Sequence, residues 1–141
     1  MQKKIKMRNM TESAHSYNLL LVDDDRFLLD MYSMKFTQAG YTVQSCLSAQ
    51  EAIAALKGGF NADAVVFDVV MPVDDGFALL RHIKEQGLAK NAVLVGLTNE
   101  SEEEQKRKTE ELGASDYIVK AATVPSEVVK RITQAIESHK K

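Results

Sequence analysis

Leu19-Leu20-Leu21-Val22 runs straight into Asp23-Asp24-Asp25, and further along Ala64-Val65-Val66-Phe67 runs into Asp68. Each is an apolar stretch of strand length that ends in carboxylate. Like charges packed so closely repel one another, so the cluster is costly until a cation neutralises it. Two buried strands that deliver carboxylates to one edge suit a hard divalent cation of the Mg²⁺ kind. Thr98 follows another apolar run, and Lys120 follows Tyr117-Ile118-Val119. A carboxylate, a divalent-cation site, a hydroxyl and a fixed ammonium meet the needs of phosphoryl transfer, which are positioning and neutralisation of charge on three equatorial oxygens. Around a carboxylate acceptor, that set can form an acyl phosphate.

These residues act together only if the chain brings them to one place. Strand and helix patterns alternate from about residue 17 onward, which predicts a parallel α/β sheet. Strands are predicted at 18–22, 41–45, 63–67, 92–97 and 117–119. The first helix spans 26–39, with Leu28, Met31, Tyr32 and Phe36 at helical spacing, and Gly40 follows it. Ser48 opens the second, with Glu51 three residues on as a capping box, and Gly58-Gly59 closes it. The loop 69–75 holds Pro72, with Asp74 and Asp75 as turn formers. The third helix spans 76–86 with Phe77, Leu80 and Ile83 inward and Gly87 as its stop, and the fourth spans 101–112 up to Gly113. Thr123 is the expected cap of a fifth helix carrying Val128, Ile132, Ala135 and Ile136 on one face. Right-handed crossovers put all the strand ends on one edge. That edge gathers Asp23, Asp24, Asp68, Thr98 and Lys120, where open α/β sheets bind ligands.

Composition narrows the function classes. At 141 residues, 45% hydrophobic and 27% charged, the chain can bury a real core as one domain. A net charge of −2 gives no sign of a nucleic-acid or membrane surface. A single cysteine, Cys46, excludes an internal disulfide framework and fits a reducing compartment. The three histidines are far apart, and no Cys/His metal spacing occurs. Residues 1–16, with Lys3, Lys4, Lys6 and Arg8 but no apolar segment, are expected to be a flexible or disordered tail, and 17–141 the folded domain.

Taken in order, Val22-Asp23-Asp24-Asp25, Asp68-Val69-Val70-Met71-Pro72 with Asp75-Gly76, Leu97-Thr98, and Gly113-Ala114-Ser115-Asp116-Tyr117-Ile118-Val119-Lys120 carry a resemblance. The chain resembles a response-regulator receiver domain of two-component signalling, of the chemotaxis-regulator kind, over about residues 17–137. The resemblance implies a flavodoxin-like fold, a doubly wound parallel sheet of strand order 2-1-3-4-5 with five helices. It implies Asp68 as phosphoacceptor, with Mg²⁺ held by Asp24, Asp68 and the Val70 carbonyl, and by Asp23 directly or through water. Thr98 and Lys120 would hold the phosphoryl oxygens, and Tyr117 would be an aromatic switch that swings inward on activation. The implied partners are a histidine kinase or phosphotransfer protein as donor and a protein target at the face of the fourth helix, fifth strand and fifth helix. The expected protein is a cytoplasmic signalling module rather than an enzyme. It would show only Mg²⁺-dependent self-phosphorylation and slow self-dephosphorylation, and carry no output domain in this chain.

The chain departs from that pattern at Asn99, where a small residue is common, and at Ala121, where the lysine is usually followed by proline in a cis peptide. A cis non-proline bond costs about 2.5–4 kcal/mol, so the Lys120–Ala121 bond is expected to be trans. Plainer readings stand beside the sharp ones. Asp25 reads as a helix cap, and Cys46 as a small, partly buried residue with nothing to make it reactive. In the fourth helix, Glu102, Glu103 and Glu104 are spaced to pair with Lys106, Arg107 and Lys108. One rival function is a scaffold that acts without phosphorylation. Another is a haloacid-dehalogenase-type phosphatase, suggested by Asp23-x-Asp25 but opposed by Arg26-Phe27 where that family has a threonine.

Overall fold

The computed structural model describes residues 16–71, 73–99 and 102–140. The expected N-terminal tail, apart from Ser16, lies outside these residues, as does Pro72. Five strands, β1 (Asn18–Val22), β2 (Thr42–Cys46), β3 (Ala64–Asp68), β4 (Val93–Thr98) and β5 (Asp116–Val119), alternate with five helices. The helices are α1 (Arg26–Gln38), α2 (Ala49–Lys57), α3 (Gly76–Glu85), α4 (Glu103–Glu111) and α5 (Pro125–Lys140). All strand pairs are parallel, in the order β2-β1-β3-β4-β5, as the resemblance implied.

Alternation along each strand divides the core in two. Leu19, Leu21, Val66, Val95 and Leu97 face α1 and α5, where Leu29, Phe36, Val128, Ile132 and Ile136 meet them. Leu20, Val22, Val65 and Phe67 point the other way, onto Leu56, Leu79, Leu80 and Ile83 of α2 and α3. Because both faces are covered, β1 and β3 can be apolar without a break, and charge appears only where they end.

Local chemistry sets the helix starts. Asp25 accepts from the Leu28 N–H, Ser48 from Glu51 and Asp75 from Ala78, each satisfying a first-turn donor. Asp75 is therefore a cap, beyond the turn role expected of it. Glu51 returns the Ser48 contact one residue early, accepting from the Leu47 N–H. The fifth helix corrects the reading of Thr123. It begins at Pro125, and the Val124 carbonyl accepts from Glu127 and Val128, so Thr123 stands one residue too far back to cap it. Proline suits that first position because its missing N–H would have had no partner.

The expected ion pairs of α4 also differ. Arg107 bonds Glu104 and Glu111, rather than Glu103 as expected, and Lys108 stacks over the Phe77 ring at 4.4 Å. What roots α4 in the fold is Thr109, fully buried against the sheet at Gly96. No described helix is long and apolar enough to cross a membrane.

Candidate functional site

Strand register assembles the site. Val22 lies opposite Phe67, so Asp23 and Asp68 follow side by side at the ends of β1 and β3. Asp68 lies opposite Leu97, and Thr98 lies opposite Val119, which places Thr98 and Lys120 on the same rim. The chain leaves β1 toward one edge of the sheet and returns to β3 on its other side. Asp23, Asp24 and Asp68 therefore sit at the topological switch point.

Carboxylate oxygens of Asp23, Asp24 and Asp68 come within 4.8 Å of one another, Asp23 and Asp68 buried and Asp24 exposed. Asp23 is oriented by the Asp25 N–H at 2.9 Å, and Asp68 by the Val70 N–H at 3.0 Å. Lys120 sends its ammonium between the two buried carboxylates, 2.7 Å from Asp23 and 3.4 Å from Asp68. Its side chain is only 6% exposed. Burial works against the lysine's charge, but the hydrogen bond with Asp23 and the charge of Asp68 outweigh it and leave its pKa above the ordinary value.

Asp68 has the opposite balance. Burial pushes its pKa up to about 6, against the pull of Lys120 and the Val70 N–H, and the negative charge of Asp23 adds to the rise. One ammonium does not neutralise two buried carboxylates, and the cluster retains an unmet demand for positive charge. All-oxygen donors at this spacing fit a hard divalent cation, and the exposed Asp24 leaves it a path from solvent.

A cavity of about 180 Å³ opens beside Asp68, lined by Val70, Thr98, Asn99, Glu102 and Gln105. Thr98 is buried at its wall. Tyr117 lies inside the fold, 7% exposed, with its hydroxyl donating to Gln105 Oε1 at 3.1 Å. Burial raises its pKa, and its hydrogen bond with Thr98 works in the other direction. The resemblance implies a ring that swings inward on activation; here the ring is already inward without any modification.

The structure thus brings Asp23, Asp24, Asp68, Thr98 and Lys120 together, with Val70 and Tyr117 adjoining. Two contributors, Gly96 and Gln105, were not singled out from the sequence, and one more, Gly76, stood there only as part of the Asp75-Gly76 motif. Gly76 meets β3 so closely that a Cβ there would stand 2.8 Å from Val69 Cα and 2.9 Å from the Asp68 carbonyl. Gly96 does the same for α4, since a Cβ would stand 3.2 Å from Thr109 Cγ2 and 3.4 Å from Tyr117 Cδ1. A glycine inside an apolar strand was the available signal for Gly96. Gln105 is, with Thr109, one of two uncharged residues in α4, four apart and therefore on one face.

A family model described as the response regulator receiver domain matches residues 19–133. The chain belongs to the response-regulator receiver domains. It is 32% identical over 124 residues to the response regulator SaeR of Staphylococcus aureus, a match that covers 88% of this chain and 52% of SaeR. The chain spans about half the length of the curated relatives it matches. Among solved structures, the chemotaxis protein CheY4 of Vibrio cholerae superposes with a TM-score of 0.78 at 28% identity, covering 84% of this chain and 98% of that one. CheY of Borrelia burgdorferi, solved in complex with CheX, BeF₃ and Mg²⁺, superposes with a TM-score of 0.75 at 28% identity over 84% of this chain and 88% of that one. Membership in this signalling family sets the phosphatase reading aside. The buried Cys46 thiol, pushed up to about 12 by desolvation, fits the inert role expected of it.

Proposed function

We propose that this receiver domain accepts a phosphoryl group on Asp68 from the phosphohistidine of a histidine kinase or phosphotransfer protein, and that the modification changes what the domain binds. The observation that carries the reading is the placement of Asp68. It is a buried carboxylate at the switch point, flanked by Asp23 and Asp24, 3.4 Å from the Lys120 ammonium, and facing a cavity walled by Thr98.

An Asp68 carboxylate oxygen attacks phosphorus, the P–N bond of the donor breaks, and its imidazole nitrogen leaves with the bonding pair and takes up a proton. Asp23, Asp24, Asp68 and the Val70 carbonyl would hold Mg²⁺, which when bound supplies charge neutralisation at the phosphoryl oxygens. Lys120 holds its charge close to those oxygens, and the Thr98 hydroxyl donates to one of them. The Val70 N–H fixes one Asp68 oxygen and so leaves the other to react. Thr98 and Tyr117 then carry the change toward α4, β5 and α5, the face proposed for the downstream protein target. This biases an equilibrium between existing states rather than creating a new one. The cytoplasm is the proposed setting. The BeF₃ and Mg²⁺ named with the Borrelia protein support the reading, because BeF₃ on a carboxylate has the shape and charge of a phosphoryl group.

Incubation with acetyl phosphate and Mg²⁺, followed by mass spectrometry, tests it. One phosphoryl group is expected on the wild-type chain and none on Asp68→Asn. Equal labelling of that variant would place the acceptor elsewhere.

A further inference from the structure

Gln105 belongs to no part of the chemistry so far, yet it stands at a junction. Its side-chain oxygen accepts from the Tyr117 hydroxyl at 3.1 Å, and its backbone carbonyl accepts from the Thr109 hydroxyl at 2.6 Å. Thr109 is the fully buried residue that seats α4 on Gly96, beside the Tyr117 ring. Gln105 also lines the cavity that holds Asp68 and Thr98. Around it, α4 is charged and exposed along most of its length, and the Glu102 main chain also hydrogen-bonds the Tyr117 hydroxyl, so this ring is where the start of the helix meets the fold. Glu102, at the position before the helix, makes no side-chain cap.

We infer that Gln105 is a positioning residue: its side-chain carbonyl holds Tyr117 inside the fold in the unmodified protein and so ties α4 to the wall of the Asp68 cavity. This rests on the phosphoacceptor reading for its consequence, though not for its geometry. Thr98 and Gln105 both engage the tyrosine hydroxyl, so the ring, the hydroxyl wall of the cavity and α4 move as one unit. Phosphorylation is expected to favour the same inward ring, with the Thr98 hydroxyl proton turning from the tyrosine to a phosphoryl oxygen while Gln105 keeps its bond. By linkage, whatever loosens the ring must weaken the hold on a phosphoryl group at Asp68, and the two effects cannot be separated. The chemistry required at position 105 is an acceptor of the right length. Glutamate keeps it; leucine, of similar size, does not.

The test uses the full chain labelled with 3-fluorotyrosine and observed by fluorine NMR, with a soluble gadolinium chelate reporting exposure. The sequence has four tyrosines, and Tyr117→Phe assigns the relevant resonance. In the unmodified wild type the Tyr117 signal should be shielded from the chelate. Gln105→Leu should lower the inward-to-outward ratio by a factor of about 2 to 12, the worth of one neutral hydrogen bond. Gln105→Glu should keep the ring inward, and beryllium fluoride with Mg²⁺ should draw it back in the leucine variant. Gln105→Ala serves as a second truncation, and circular dichroism checks that both variants stay folded. An exposed ring in the unmodified wild type, unchanged shielding in both truncations, or an exposed ring in the glutamate variant would each overturn the inference. Absent labelling by acetyl phosphate would strike the phosphoacceptor reading alone, because the ring measurement on the unmodified protein needs no phosphoryl group.

Discussion

Asp68 is held in a state that its surroundings resist, and replacing it with asparagine should reveal by how much. The carboxylate is 6% exposed, and its pKa rises from an ordinary 3.8 to about 6. At 1.36 kcal/mol per unit, that shift corresponds to about 3 kcal/mol of strain in the ionised form. The folded pKa is raised, so this group contributes stability fully below about pH 4, where both states hold the proton, and loses it as pH rises through 6. Asparagine keeps an oxygen for the Val70 N–H and carries no charge, but it turns an amide toward Lys120 in place of a weak partner at 3.4 Å. The gain is therefore smaller than the full shift, about 1–3 kcal/mol at pH 7.5, or about 3–10 °C in Tm for a domain of this size. Thermal and urea unfolding of both proteins in EDTA, from pH 4 to pH 8, measure it. The difference should be near zero at pH 4 and reach a plateau above pH 7. Saturating Mg²⁺ should shrink it, because the wild type gains more from the cation than the variant does. An Asp68→Asn variant no more stable than the wild type at pH 7.5, or an advantage that persists unchanged at pH 4, would refute the argument.

Three further outcomes are expected. Asp24 is exposed and its carboxylate stands in the cluster proposed to hold Mg²⁺, so Asp24→Ala should leave metal-free stability within about 0.5 kcal/mol while abolishing the Mg²⁺-induced rise in Tm; calorimetry with and without Mg²⁺ decides. Gly76→Ala should destabilise by about 1–3 kcal/mol and slow labelling by acetyl phosphate, because the new Cβ meets the backbone of Val69 and Asp68 below 3.0 Å. Val73, 92% exposed, adopts φ 68°, a left-handed conformation that strains a β-branched residue. Val73→Gly should therefore raise stability by about 1 kcal/mol in urea titration, with no change in labelling of Asp68.

The strands were legible because fully covered strands leave a simple record. An apolar run stops where the sheet stops, and in β1 and β3 it stops on carboxylate. That same record exposed the site, since Asp23, Asp24, Asp68, Thr98 and Lys120 all follow apolar runs, and parallel register carries such positions to one edge. Strand β1 runs as predicted over 18–22, while β2, β3 and β4 each lie one residue later than predicted and β5 starts one residue earlier. Asp68 and Thr98 pair within their strands, because main-chain hydrogen bonding continues one residue after the side chains turn polar. Helix α4 was the least legible. Charge spacing offered several equivalent pairings, and the forked guanidinium of Arg107 took one partner in the preceding turn and one in the next. Its real anchor, Thr109 on Gly96, depends on a polar side chain buried through a bond to its own helix. Hydrophobic periodicity gives no weight to such a residue.

Lys120 shows how a motif can depart from its family without losing its geometry. Among the described residues no peptide bond is cis, so Lys120–Ala121 is trans, as the cost of the alternative led us to expect. The chain instead turns through a single 3₁₀ turn, Lys120–Ala122, closed by the Thr123 N–H on the Lys120 carbonyl at 3.3 Å. What aims the lysine is the register of β5: Val119 lies opposite Thr98, and the next residue is carried over the sheet edge toward the buried carboxylates. From there a four-carbon stem reaches Asp23 and Asp68 with its ammonium almost wholly enclosed. The strand delivers the charge to the site, and the turn after it has only to lead the chain away to Pro125 and α5. A residue other than proline suffices for that task.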